Sequence, residues 1–284
     1  MGNILEVINL RKTYTLFKLN ATFNVKKGKI TGFIGINGSG KTTTIKSILG
    51  LALKESGIIK IFGKELNKKT EKEIKNRIGI VFDEGYFYEE LTLKEMKKII
   101  SSAYSNWNEE LFRQYIKRFN LPLNQKIYKL SKGMKMKYAI ALALSHNPEL
   151  LIMDEPTSGL DPLVRHELMN ILLEFMKDEN KSVFFSTHIT SDLDKIADDL
   201  ILINNGKIIF CEDKKELLNK YVIIKGSKEL VNDEIKELFL NLKISEDYFE
   251  GLTDKKNELS SLFRKDVVIE KPTIENIMLY HVER

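Results

Sequence analysis

The stretch GINGSGKTT, residues 35–43, constrains the fold more than any other part of the chain. It satisfies G-x-x-x-x-G-K-[ST], follows the apolar run ITGFI and precedes TTIKSILGL. Such a loop works between a strand and a helix. Its glycines let backbone N–H groups turn toward phosphate oxygens, and the helix N-terminus adds its dipole. Gly35, Ile36, Asn37, Gly38, Ser39, Gly40, Lys41, Thr42 and Thr43 are therefore candidate ligands of a nucleoside triphosphate. Lys41 offers a point charge to the β- and γ-phosphates, and the Thr42 hydroxyl can ligate Mg²⁺.

A strand–loop–helix unit of this kind implies an α/β fold, and the rest of the chain agrees. Short β-rich runs open it (ILEVINL, LNATFNV, KITGFIGI), and GIIKIFG at 57–63 reads as another strand. RIGIVF at 77–82 follows, then a largely helical region from about Leu91 to His146. LLIMD (150–154) and SVFFST (182–187) are apolar runs bounded by turn residues, as expected of buried strands. Between them Leu168, Ile171, Leu172 and Phe175 fall on one helical face. Asn205-Gly206 predicts a hairpin turn. Apolar strands alternating with helices give an α/β core with parallel strands.

The length of 284 residues fits one large domain and a small one. Residues 222–284 hold ten basic and thirteen acidic residues, net −3, so within the overall +5 the first 221 carry about +8. That asymmetry suits a main domain handling a polyanion and a tail with another role. We place the boundary at 221/222 and expect a small α+β appendage, with a helix at 228–240 and Pro272 in the first turn of a closing helix. No apolar window is long enough to span a membrane, and MGNILEV lacks a signal peptide's basic and apolar blocks. The single cysteine, Cys211, excludes a disulfide framework and reads as a small buried hydrophobe, so a reduced, cytosolic setting is expected.

LLIMDEP supplies the chemistry that a bound triphosphate invites. Its strand delivers Asp154 to a position from which Mg²⁺ can be held through water, and Glu155 can polarise an attacking water. A solvated acidic pair ending a strand is the plain alternative. TSGLD (157–161) comes next, then a helix, then FFSTH, where His188 ends the next core strand.

In these residues the chain closely resembles the ATP-binding cassette (ABC) ATPases over about residues 4–215. GINGSGKT looks like the Walker A loop, LLIMDE like the Walker B strand with Glu155 catalytic, and SGLD, including Asp161, like the D-loop. His188 looks like the switch histidine, a second catalytic residue. Tyr14 occupies the place of the aromatic that stacks on adenine, although an aromatic in a β-rich segment is often core packing. The resemblance implies a P-loop NTPase fold: a RecA-like core, an antiparallel β subdomain and a helical subdomain at about 84–146.

Two departures from the family's pattern stand out. KLSKGMKMK, residues 129–137, could be a basic surface patch or a helix entrance; it lies where the family has LSGGQ. Ser131 and the second glycine, Gly133, are kept, while Lys132 and Met134 replace a glycine and a glutamine. In the family this element caps a helix whose positive end meets the γ-phosphate of the opposite subunit, chemistry that a Ser N-cap preserves. After RIGIVF the family usually has a glutamine touching Mg²⁺; here it is Asp83, a better hard-cation ligand without the amide donor, or else an exposed turn residue.

The resemblance implies an ATPase using ATP and Mg²⁺, paired with a second copy or a paralogous ATPase. It would drive a separate permease, peripheral on the cytoplasmic side of the membrane, with no nucleic-acid partner. SxGM, Asp83 and the ending KPTIENIMLYHV look similar to subunits of small six-span exporters of antimicrobial or amphipathic peptides, drugs or sodium. The alternative is a soluble ABC ATPase acting on ribosomes or DNA, and a third a non-hydrolysing regulatory cassette. One cassette without a long heptad insert argues against the former, and intact Glu155 and His188 against the latter.

Overall fold

Strand burial follows the side-chain pattern of the sequence. We describe residues 2–83, 86–263 and 266–283 of a computed structural model, without the side chains of residues 260 and 261. Ten strands form one sheet: β1 (Asn3–Tyr14), β2 (Phe17–Lys26), β3 (Ile30–Ile34), β4 (Ser56–Ile61), β5 (Lys64–Glu65), β6 (Ile78–Phe82), β7 (Leu150–Asp154), β8 (Ser182–Thr187), β9 (Asp199–Asn204) and β10 (Lys207–Asp213). Their order is β5-β4-β1-β2-β10-β9-β3-β8-β7-β6.

The β9-β3-β8-β7-β6 part is parallel, as expected for strands joined by helical crossovers. Every residue of β3, β7 and β8 is buried, which is why these runs carry no polar alternation. β1, β2, β4 and β5 form an antiparallel leaf in which β2 alternates buried and exposed residues. One apolar core lies between this leaf, β3 and the Lys41–Ile48 helix, around the stacked rings of Phe23, Phe33 and Phe184.

Three helices separate β6 from β7: Leu93–Ser101, Glu109–Arg118 and Lys132–Leu144. Thr92 and Glu95 close a capping box at the first, and Asn108 and Ser131 cap the others. Tyr138 joins the first helix to the third, its hydroxyl donating 2.7 Å to Leu93 O in the second core. The Asn205-Gly206 hairpin forms as expected, with both residues at positive φ.

Beyond Tyr221 a second, antiparallel sheet has the order β12-β13-β11-β14, from β11 (Val222–Ser227), β12 (Asn241–Ile244), β13 (Tyr248–Thr253) and β14 (Val267–Glu270). Ile224, Phe249, Leu259 and Phe263 make a small core on one of its faces. Ile223 and Leu252 join the main core from the other, with the closing helix Ile274–Val282.

Three local expectations fail. The helix expected at 228–240 is only a 3₁₀ turn, Lys228–Leu230, and one turn at Asp233–Lys236, because the Asn232 side chain accepts from Ile235 N–H and restarts the chain. Pro272 precedes the N-cap Thr273 and so stands outside the closing helix. Cys211 is exposed: on β10 it alternates with buried Phe210, and its thiol faces Asn24 O at 3.6 Å.

Candidate functional site

The loop after β3 is shaped by glycines that nothing else could replace. A Cβ on Gly35 would lie 2.4 Å from Ile203 O, and one on Gly40, where φ is 112°, would lie 2.6 Å from the Phe17 ring. The loop therefore wraps tightly and delivers Lys41 at the first position of its helix. The Lys41 ammonium is buried. It donates 2.7 Å to Gly35 O and 3.2 Å to Ile36 O, and stands 3.1 Å from Glu155 Oε1.

β7 and β8 bring the acids to this ammonium. Asp154 pairs in register with Ser186, whose hydroxyl donates 2.6 Å to the Asp154 carboxylate. Burial pushes that carboxyl above its ordinary range, against hydrogen bonds from Ser186 and Thr42 that favour the charged form. Glu155 sits in the left-handed region, at φ 49°, held there by its N–H donating to Ser186 O and Oγ. Strain of this kind, of order 1–3 kcal/mol, is found where a side chain must be aimed. Here it aims one carboxylate oxygen at Lys41 and the other at His188 Nδ1, 2.8 Å away.

Between this cluster and the β1–β2 turn lies a cleft of about 580 Å³, large enough for a nucleotide. Tyr14 lines its outer end, half exposed, with Phe17 at 6.4 Å between ring centroids and the Lys12 ammonium 4.9 Å from the Tyr14 ring. Asn37, Gly38, Gly40, Thr42, Thr43, Asp83 and His188 also line it. Of the candidates that do not line it, Gly35, Ile36 and Ser39 belong to the loop itself and Asp154 to the end of β7, and three others stand apart from both. Ser131 caps the Lys132–Leu144 helix, its hydroxyl accepting from Met134 N–H at 3.2 Å. Gly133 lets the Val164 side chain approach within 3.2 Å of where its Cβ would be. Asp161 caps the Pro162–Phe175 helix through Leu163 and Val164 N–H.

Comparison with known proteins bears on what this cleft handles. Residues 19–158 match the family model described as ABC transporter. The chain is 38% identical over 213 residues to the bacitracin transport ATP-binding protein BcrA of Bacillus licheniformis, covering 74% of this chain and 69% of that one. It is 33% identical over 231 residues to the lantibiotic transport ATP-binding protein SrtF of Streptococcus pyogenes, covering 78% and 98%. A solved structure of the ATP-binding subunit of an ABC transporter superposes with a TM-score of 0.68 at 31% identity, over 76% of this chain and 92% of that one.

The chain belongs to the ABC transporter ATP-binding proteins.

It is accordingly an ATPase built on the ABC cassette. Two residues at or beneath the cleft escape a reading of motifs. Phe17 faces Tyr14 across the two-residue turn of the β1–β2 hairpin, a pairing that the spacing in YTLF signals once the turn is known. Ser186 depends on the register of β7 against β8. Ser158, the first residue of SGLD, reaches the lining because the chain turns back after Glu155, Ser158 N–H donating to Glu155 O.

The basic look of KLSKGMKMK dissolves in the cassette. Lys132 pairs with Asp83 at 2.6 Å, Lys135 with Glu89 at 2.6 Å and Lys137 with Glu167 at 2.7 Å. Asp83 is thus neither a free turn residue nor a lone cleft acid, but one half of an ion pair.

Proposed function

We propose that this ABC ATPase is the engine of an exporter, in which two copies, or this chain and a paralogue, close around two ATP molecules and drive a separate membrane permease. The observation that carries the reading is the bridge from Lys41 through Glu155 to His188. Triphosphate oxygens would take the Lys41 ammonium from Gly35 O, Ile36 O and Glu155. The freed Glu155 oxygen then accepts a proton from the attacking water, while His188 holds the other oxygen in place. Tyr14 and Phe17 offer π-faces to the base.

Mg²⁺ fits the donor set. Among the described residues no group of three or more His, Cys, Asp and Glu could hold a metal alone. The Thr42 hydroxyl and the Asp154 carboxylate converge at the phosphate end, the arrangement suited to a hard cation that keeps waters and phosphate oxygens as its other ligands. When bound, the ion neutralises phosphate charge.

Dimerisation is supported by what does not line the cleft. Ser131, Gly133 and Asp161 are absent from the lining of their own chain's cleft, and Ser131 presents the N-terminus of a 13-residue helix to the surface. Such an end attracts an anion, here the γ-phosphate held by a second copy.

No helix among the described residues is long and apolar enough to cross a membrane. The transport names of the relatives support a separate permease partner, with this subunit peripheral on the cytoplasmic face. An apolar groove of about 320 Å³ between β6 and the helical block, floored by Ile80, Phe82 and Tyr104, is our docking site for a permease segment. Residues 222–284 form an accessory unit that braces the Thr190–Ile196 helix through the closing helix. The transport names of the relatives favour export of an antimicrobial, amphipathic peptide.

The test is co-expression with the membrane protein encoded beside it in a peptide-sensitive host. Resistance to bacitracin or a lantibiotic should rise at least fourfold, should vanish with Lys41→Ala, and the two proteins should copurify. Unchanged resistance together with copurification of ribosomes or DNA would overturn the reading.

A further inference from the structure

Asp83 follows β6 and lines the nucleotide cleft, whereas Lys132 opens the helix that Ser131 caps. Their charged atoms meet at 2.6 Å. It is a charge contact and not a directed hydrogen bond, since Asp83 Oδ1 has no hydrogen-bond partner. A third element closes on the same point: the Lys132 ammonium lies 3.2 Å from the Cβ position of Gly159, next to the cleft residue Ser158. Lys132 thus ties the segment after β6 to the start of the Lys132–Leu144 helix at the cleft's rim and lies beside the segment after β7.

A lysine in the first turn of a helix is placed against the helix dipole, and no acidic residue stands in that turn to offset it. The compensating anion comes instead from Asp83. The side chains are 43% exposed for Lys132 and 32% for Asp83, while the contacting Asp83 Oδ1 is itself shielded, so the pair is only partly screened by water. A triphosphate arriving at the same helix end is a stronger partner for Lys132 than one carboxylate.

We propose that the Asp83–Lys132 pair is an exchangeable link through which one ATP site senses the other. Lys132 leaves Asp83 for the triphosphate held by a second copy, and Asp83 is released into its own chain's cleft, where its carboxylate would be an oxygen donor to the Mg²⁺ of the bound nucleotide. The link rests on the two-copy reading given above, because only a second copy brings a triphosphate to Lys132. Lys132 is therefore a positioning residue for its own site and a phosphate ligand for the other. The two sites then respond to ATP as one coupled system, with the ion pair as the two-state element that both bias.

A double-mutant cycle in the Glu155→Gln background tests this. Asp83→Asn, Lys132→Met and the double variant are titrated with Mg-ATP, and dimerisation is followed by light scattering; Lys132→Arg and thermal melting control for folding. We expect Asp83→Asn, which frees Lys132, to lower the ATP concentration for half-dimerisation at least threefold. Lys132→Met should raise it at least threefold, and Lys132→Arg should stay near the parent. The effect of Lys132→Met should differ by threefold or more between chains that keep Asp83 and chains that carry Asp83→Asn. If all variants dimerise at the same ATP concentration, or the two effects simply multiply, the link is refuted while the two-copy reading stands. If no variant dimerises at saturating ATP, the two-copy reading falls and the link with it.

Discussion

Glu155 and Lys41 are joined at 3.1 Å across the phosphate end of the cleft, each the other's charge partner. Neither was recruited by chance of packing. Glu155 is held in a left-handed backbone conformation, and Lys41 is almost wholly buried. An acid so placed serves as a base only when phosphate oxygens relieve Lys41 of it, which couples base release to substrate binding. Glu155→Gln keeps the shape and removes the basicity. We expect kcat to fall by about 10²–10³-fold, within the range for loss of a general base, with ATP affinity kept and an ATP-dependent dimer accumulating on size exclusion. Turnover at the wild-type rate would refute the assignment.

Tyr14 and Phe17 predict where nucleotide affinity comes from. Their rings are tilted at 38° and flank the outer end of the cleft. Base stacking on an aromatic is worth about 1–3 kcal/mol, so Tyr14→Ala should weaken nucleotide binding by roughly 5- to 150-fold, whereas Tyr14→Phe should leave it within about twofold. Titration of a fluorescent ATP analogue reads both. Equal affinity for Tyr14→Ala and the parent would return Tyr14 to simple packing.

What could be read in the sequence was what is local. The phosphate loop and the Asp154-Glu155 strand end each carry their strand, turn and spacing within a few residues, so motif and geometry agree. Contacts made across the sheet were not legible. The Ser186 bond to Asp154 depends on a strand register, and the pairing of Lys132 with Asp83 on how the helical block folds back beside β6. Propensity also misled where a single polar residue decides. Leu230, Val231, Ile235 and Leu238 are in phase for a helix, yet Asn232 caps a new turn in their midst.

His146 predicts an acid limit to stability. It is fully buried, with its ring stacked 3.8 Å from Tyr104 and Nε2 3.0 Å from Ile78 O. Burial lowers its pKa to about 4, with the Lys181 ammonium acting in the same direction. The folded value lies below the unfolded one, so protons favour the unfolded chain. The contribution is fully present above about pH 6.5 and is lost as pH falls to about 4, a change of about 3 kcal/mol over that window. Urea midpoints measured at pH 7.5, 5.5 and 4.5 should show that slope, and His146→Gln should flatten it. A slope unaltered by the substitution would mean that other groups set the acid limit.

Ser131 separates a structural role from one exercised across the dimer. As an N-cap it accepts from Met134 N–H, so Ser131→Ala should cost about 1 kcal/mol of stability, seen as a small drop in melting temperature. Its role in hydrolysis is tested by mixing chains. Lys41→Ala and Ser131→Arg should each be nearly inactive alone. If Ser131 serves the opposite chain's ATP, a mixed dimer carries both lesions in one site and leaves the other whole. Random pairing then gives half of the dimers one whole site, so up to about a quarter of the activity returns, and less to the extent that the two sites are coupled. If Ser131 serves its own chain's cleft, every site in the mixture carries one lesion and nothing is restored. Because Ser131 does not line its own chain's cleft, we expect recovery.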